Sequence, residues 1–297
     1  MDQVTGNGLA EFIAQQPDGS FLIRWQGFDL WLVKQPWGEL AVAQQGAQLL
    51  HFRPAGQAPV LWCSSQPLPA PKAIRGGVPL CWPWFGDHPQ DSSKPAHGYA
   101  RTAGWQLDSA EPSVEGGSWT FSPQQALCEG LALSLQIEVR AALLTLRMRS
   151  ENNTREMQEL SMALHSYFAI SGRDQVSLDG IEGCTYADKL RDMAHFRLEQ
   201  PQSIRQRTDR VFRHQGDVHL IDRGLQRMIS IGKGNSNSTV VWNPGDLAAE
   251  MADIGMDQVD GFVCIETART ADFDQLALAP GEQLLMETRI AVSPLKG

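Results

Sequence analysis

The cleanest pattern in the chain lies between residues 131 and 149. Leu131, Leu133, Leu135, Ile137 and Val139 alternate there with Ala132, Ser134, Gln136, Glu138 and Arg140. Successive side chains of a strand point to opposite faces, so a period of two predicts a half-buried antiparallel strand with one wet face. Leu144, Leu146 and Met148 repeat the pattern against Thr145, Arg147 and Arg149, and ENNTRE makes the next turn. Shorter runs open the chain: SFLIRW (20–25), DLWLVK (29–34), ELAVA (39–43) and AQLLHF (47–52), divided by Gly-bearing breaks as in a meander. Further strands are expected at 118–122, 160–170, 238–243, 261–267 and 282–292, with two short ones inside 175–189. Many short strands joined by turn residues predict a mainly all-β fold, a large antiparallel β-sandwich with a few short helices. DLAAEMADIG (246–255), with Asp246 as a candidate N-cap, is the best helical segment. SIGKGNSNS (230–238) lacks the spacing of a phosphate loop and reads as a hairpin turn.

One stretch breaks the alternation. Residues 74–105, IRGGVPLCWPWFGDHPQDSSKPAHGYARTAGW, crowd two arginines, four prolines, three tryptophans and two histidines into a segment with little apolar periodicity. Gly76 and Gly77 let the backbone take positive φ and approach another group closely. Arg75 projects a planar fork of donors suited to a carboxylate, a phosphate or paired sugar hydroxyls. The prolines stiffen the segment between the two arginines, and His97-Gly98-Tyr99-Ala100-Arg101 brings back the second arginine beside a titratable ring. Any one of these arginines alone would pair with an acidic neighbour on the surface. The pair, with both glycines and His97, reads as a loop built to hold a ligand. The Pro-, Ala- and Ser-rich residues 53–73 are expected to carry the chain over the surface toward it.

Two other residues carry candidate chemistry. In the strand 160–170, His165 falls on the face of Ser161, Ala163, Tyr167 and Ala169, opposite the bulky Leu160, Met162, Leu164, Phe168 and Ile170. Small neighbours leave room for a concave site, although a core histidine bonded to a carbonyl fits this strand equally well. Glu266 shares one strand face with Phe262 and Cys264, where an unpaired carboxylate is costly to bury, so it needs a partner or a task. His214 and His219 are five residues apart, and nothing suggests that they face one metal.

Composition narrows the classes. The formal net charge of −9 argues against a nucleic-acid partner. No apolar run reaches the length of a membrane span. The first nineteen residues lack a basic region and a long apolar run, so no signal peptide is expected. Five cysteines, odd in number and without C-x-x-C spacing, fit thiols in a reducing cytoplasm. At 297 residues the chain is long enough for a large core, and a single domain spanning 1–297 is expected.

IRGGVPLCWPWFG, PAHGYAR, LHSYF, TDRV, VVWNPG and FVCIETA, in this order and at these separations, resemble the hexose-6-phosphate mutarotases, or glucose-6-phosphate 1-epimerases. That family belongs to the aldose 1-epimerase group, whose galactose mutarotase-like fold is a large antiparallel β-sandwich. The resemblance implies interconversion of the α and β anomers of a sugar phosphate without metal or cofactor. It implies His165 as general acid and Glu266 as general base, with Arg75, His97, Arg101 and Asp188 binding substrate. A mutarotase for unphosphorylated aldoses and a non-catalytic carbohydrate-binding sandwich are the alternatives. Trp82, Trp84 and Phe85 could offer an apolar face to the sugar ring, or serve as core.

Overall fold

The computed structural model describes residues 8–295. The first seven residues of the N-terminal stretch for which no signal peptide is expected lie outside the described residues. Two large antiparallel sheets face each other. One has nine strands, in the spatial order Gln202–Ser203, Val176–Asp179, Val218–Asp222, Arg227–Gly234, Gln283–Pro294, Leu143–Asn152, Leu131–Arg140, Gly116–Pro123 and Trp105–Ser113. The other runs Ala194–Arg197, Thr185–Asp188, Thr208–Arg213, Ser238–Asn243, Phe262–Arg269, Met162–Leu164 and Leu80–Cys81, with Tyr167–Ala169 also paired to Phe262–Arg269. A separate meander, Gly19–Trp25, Phe28–Gln35, Gly38–Ala43 and Leu49–Pro54, forms a four-stranded sheet in chain order. The mainly-β sandwich expected from the alternation is the fold observed.

The main core lies between the large sheets. Leu135, Ile137, Leu146 and Met148 of the nine-stranded sheet pack in one cluster with Leu164, Phe168, Phe212, Val241 and Ile265 of the other. The strict alternation at 131–149 arises because the partner face meets solvent or a polar neighbour. The segment 160–170 divides its faces as its sequence predicts. Leu160, Met162, Leu164, Phe168 and Ile170 enter the main core, while Ala163 and Tyr167 join smaller clusters on the opposite side of the sheet. Among the described residues, no helix is long and apolar enough to cross a membrane.

Several local expectations fail for physical reasons. Residues 246–255 form no single helix. Gly245–Glu250 is a 3-10 turn without a side-chain cap, and a short helix comes next at Gly255–Gln258. The apolar residues buried here, Ala248, Ile254 and Val259, are not spaced along one helical face. Residues 230–238 are not a hairpin. Arg227–Gly234 pairs within the nine-stranded sheet and Ser238–Asn243 within the other, so the turn crosses between sheets. The 53–73 stretch is not wholly superficial, because Val60, Leu61, Trp62, Cys63 and Ser64 are buried. Trp105–Ser113 is a strand that the sequence pattern does not predict: only its first residue is buried, and an edge strand held by backbone bonds leaves no alternating signature.

The arginine-glycine loop dips into the protein instead of standing off it. Gly76 (φ +123) and Gly77 (φ +60) both need positive φ. A Cβ on Gly77 would strike the Leu49 carbonyl and the Leu50 backbone, and the Gly77 carbonyl accepts from the Tyr167 amide at 2.8 Å. Leu80–Cys81 then pairs with Met162–Leu164, so part of this loop is a buried strand of the site-bearing sheet. Gly77→Ala therefore incurs a backbone collision as well as strain, and should lower unfolding free energy by about 1–3 kcal/mol. Gly56→Ala, at φ +73 with open space around it, carries the strain alone. Urea denaturation of the two variants should show the larger loss at Gly77; equal losses would remove the packing argument.

Candidate active site

The register of the site-bearing sheet joins residues that are far apart in sequence. Leu164 lies opposite Thr267 and Tyr167 opposite Cys264, which sets His165 opposite Glu266. The strand is interrupted here: the His165 amide donates to the Pro79 carbonyl at 3.0 Å, and the Ser166 carbonyl accepts from the Ile265 amide at 3.1 Å. His165 Nε2 stands 3.3 Å from Glu266 Oε1. Both side chains are buried, at 8% and 2% exposure. The His165 ring stacks on Tyr167, with centroids 4.9 Å apart and planes 12° apart, and Tyr167 in turn packs on Trp62 and Phe262. An imidazole held this way has little freedom to leave its carboxyl partner.

These two residues floor a cleft of about 440 Å³, counting its open mouth. Arg75, Phe85, His97, Lys189, Asp209 and Trp242 line it with them. His165 Nδ1 and Glu266 Oε2 are buried without a hydrogen-bond partner. Buried polar atoms are seldom left unpaired, and the two residues that carry these line the cleft.

Arg75 forms part of the cleft wall. Its Nε donates to Asp253 Oδ2 at 3.0 Å. Burial works against its charge, but Tyr167 and Asp253 beside it outweigh that and raise its pKa, so it stays cationic. His97 has φ +65, and its Nδ1 accepts from the Gly86 amide at 3.2 Å. That bond places the ring proton on Nε2. Burial, with Arg101, Lys189 and Arg75 nearby, lowers the His97 pKa to about 3, so the ring is a neutral donor. Arg101 sits behind this loop and is not part of the cleft wall. It donates to the Ala96 carbonyl at 2.8 Å and adds positive charge near His97, His165 and Glu266.

Asp188 does not line the cleft, contrary to the substrate contact expected of it. Its Oδ1 accepts from the Leu190 amide at 3.0 Å and its Oδ2 pairs with Arg210 at 3.3 Å. It pins the turn that carries Lys189. The acidic wall residue is Asp209, on Thr208–Arg213, with Lys189 Nζ 3.8 Å from its Oδ1. Neither wall residue is legible in the sequence, Lys189 because an Asp-Lys pair reads as a solvated turn. Asp209 lies within TDRV, a motif of the family resemblance that assigns no role to its aspartate. Among the aromatics, Phe85 and Trp242 form the wall. Trp82 is core, with its indole N–H on Ser150 at 2.9 Å, and Trp84 donates to the Pro95 carbonyl at 3.0 Å. His214 bonds Thr239 and His219 bonds Ser230, on different sheets.

Residues 29–291 match the family described as aldose 1-epimerase. The chain belongs to that family. It is an isomerase of the epimerase type, acting on a sugar. A protein of Escherichia coli K12 named "Putative glucose-6-phosphate 1-epimerase" is 34% identical over 274 residues, 89% of this chain and 90% of that one. One of the same name from the plant Cenchrus ciliaris is 28% identical over 84% of this chain and 79% of its own. The crystal structure of a "putative mutarotase" from Salmonella typhimurium superposes with a TM-score of 0.87 at 28% identity, covering 96% of this chain and 99% of that one. A galactose 1-epimerase of Lactobacillus acidophilus shares the fold, with a TM-score of 0.71 at 12% identity over 94% of this chain and 100% of its own.

The electrostatics of the pair differ from a simple ion pair. Burial pushes Glu266 well above the usual carboxyl range; Lys189 opposes the rise, and Asp209 adds to it. Burial, with the Arg101 and Arg75 cations nearby, pushes His165 well below 6.5. Burial therefore disfavours the doubly charged form of the pair, carboxylate beside imidazolium. In ¹⁵N NMR of the free protein, His165 should remain neutral at about pH 6.5, where a free imidazole is half charged. A ring that titrates at the ordinary value would contradict the buried, cation-flanked site.

Proposed function

We propose that this chain, acting as one domain in the cytoplasm, interconverts the α and β anomers of glucose 6-phosphate and related aldohexose 6-phosphates. The observation that carries the reading is the His165–Glu266 pair, 3.3 Å apart at the floor of a cleft lined by hydrogen-bonding groups of both charges. The relatives named for glucose 6-phosphate support the substrate. Five unpaired cysteines fit the compartment.

Ring opening needs one proton removed and one supplied. Glu266, as carboxylate, takes the proton from the C1 hydroxyl. The O–H electron pair becomes the C1 carbonyl π bond, the C1–O5 bond breaks, and O5 takes the proton from the His165 imidazolium. The pair then holds its single proton on Glu266, the arrangement that burial favours. Rotation about C1–C2 turns the aldehyde, and the reverse transfers close the ring on its other face. Each positioned transfer is typically worth about 10² to 10⁴ in rate. The reactive arrangement, carboxylate beside imidazolium, must be reached from the neutral pair. A phosphate dianion brought near His165 favours it, as Lys189 and Arg101 do at Glu266.

The remaining ligands are set by the sugar's geometry. C6 is attached to C5, the neighbour of O5, so the phosphate extends past His165, on the side of Tyr167 and Arg75. Arg75, which lines the cleft with its Nε on Asp253 and Tyr167 beside it, takes the phosphate. Neutral His97 donates through Nε2–H to a sugar oxygen, and Phe85 and Trp242 present apolar walls to the ring. Arg101 supports His97 and the local field. Asp209 serves as the acidic substrate contact in place of Asp188.

Anomer exchange measured by NMR should be accelerated by the wild type for glucose 6-phosphate more than for glucose. Glu266→Gln should slow the phosphate ester by about 10²-fold or more. Arg75→Met should erase the preference for glucose 6-phosphate over glucose while leaving glucose exchange near its wild-type rate. Equal acceleration of both sugars by the wild type would assign the site to unphosphorylated aldoses. Exchange at the buffer rate for every aldose tried would refute the assignment.

A further inference from the structure

We propose that Lys189 sets the sugar specificity at C2, holding the C2 hydroxyl between its ammonium and the Asp209 carboxylate; this rests on the proposed hexose-phosphate mutarotase activity. C1 has three heavy neighbours: its hydroxyl oxygen, O5 and C2. With the C1 hydroxyl at Glu266 and O5 at His165, C2 is directed away from His165, toward the far side of Glu266. The next strands on that side are Ser238–Asn243, with Val240 opposite Glu266, and Thr208–Arg213, with Asp209 opposite Trp242. Asp209 and Lys189 are the charged groups of the cleft on this side.

Their spacing suits a hydroxyl. Nζ and Oδ1 are 3.8 Å apart, too far for a direct hydrogen bond. A hydroxyl accepts from an ammonium and donates to a carboxylate, so one oxygen set beside this gap satisfies both groups. A phosphate does not fit here, because the Asp209 carboxylate borders the gap and would repel it. The lysine is also placed, not free. Asp188 pins its turn through the Leu190 amide and Arg210, and Nζ lies over the Phe85 ring at 5.2 Å from its centroid. Its side chain is 33% exposed, enough for Met to replace it without disturbing the core.

The test compares anomer exchange of glucose 6-phosphate, its C2 epimer mannose 6-phosphate, and 2-deoxyglucose 6-phosphate, each divided by its rate in buffer. The wild type should favour glucose 6-phosphate over the 2-deoxy sugar by roughly tenfold to a hundredfold in kcat/KM, the value of one charge-assisted hydrogen bond. Lys189→Met should bring that ratio to within about twofold, and mannose 6-phosphate should approach the other two. Because Lys189 also favours the ionised Glu266, all three rates should in addition fall by a common factor, and the ratio between sugars carries the test. An unfolding transition in urea matching wild type shows that the variant is folded. A uniform loss that leaves the wild-type ratios between the three substrates intact would make Lys189 only a charge that tunes Glu266 and overturn the proposal. An unchanged ratio, or a wild type that treats all three alike, would overturn it as well. A wild type that accelerates none of them would refute the underlying function instead.

Discussion

The antiparallel register between the His165 segment and Phe262–Arg269 places an imidazole opposite a carboxyl on the sheet face turned away from the main core, and the site is built around that pairing. A one-residue slip would send His165 into the sandwich core and Leu164 or Ser166 to the cleft. The register is held by what lies beneath it. Leu164 and Phe168 fill the main core on one face, and Tyr167 packs on Trp62 and Phe262 on the other. The same residues that make the sandwich cohere thus fix the 3.3 Å separation on which the proposed proton transfers depend.

Burial of that pair has an electrostatic consequence. Two groups taken out of water each prefer their neutral form, and the cations around His165 strengthen the preference. A pair holding one proton can be both acid and base within one turnover, the requirement of a reaction that opens and recloses the same bond. Substrate charge then acts on the protonation state as well as on affinity, since an anion near His165 and the cations near Glu266 both favour the reactive form. The mixed charges of the cleft wall belong to this arrangement. A uniformly cationic cleft would hold phosphate tightly but would suppress the imidazolium.

The network behind the wall shows how a site is supported at a distance. Asp253 engages one edge of Arg75, Asp188 pins the turn bearing Lys189, and the Gly86 amide fixes the His97 tautomer. Each removes freedom from a side chain of the cleft wall, so that in the proposed complex less entropy is lost on binding.

By itself the sequence determined the sandwich, because alternation at 131–149 and in the opening strands is a direct record of which face meets the core. It also determined the family, since ordered motifs from IRGG to CIET survive as a pattern along the chain. His165 and Glu266 were legible for a local reason: each sits on a strand face where its chemistry needs an explanation. That they are one pair was decided only by tertiary structure, because cross-strand register between residues about a hundred apart leaves no local trace. The exchange of Asp188 for Asp209 has the same origin. In a strand, neighbouring residues point to opposite faces, and only the pairing of Thr185–Asp188 with Thr208–Arg213 shows which carboxylate turns to the cleft and which to Arg210.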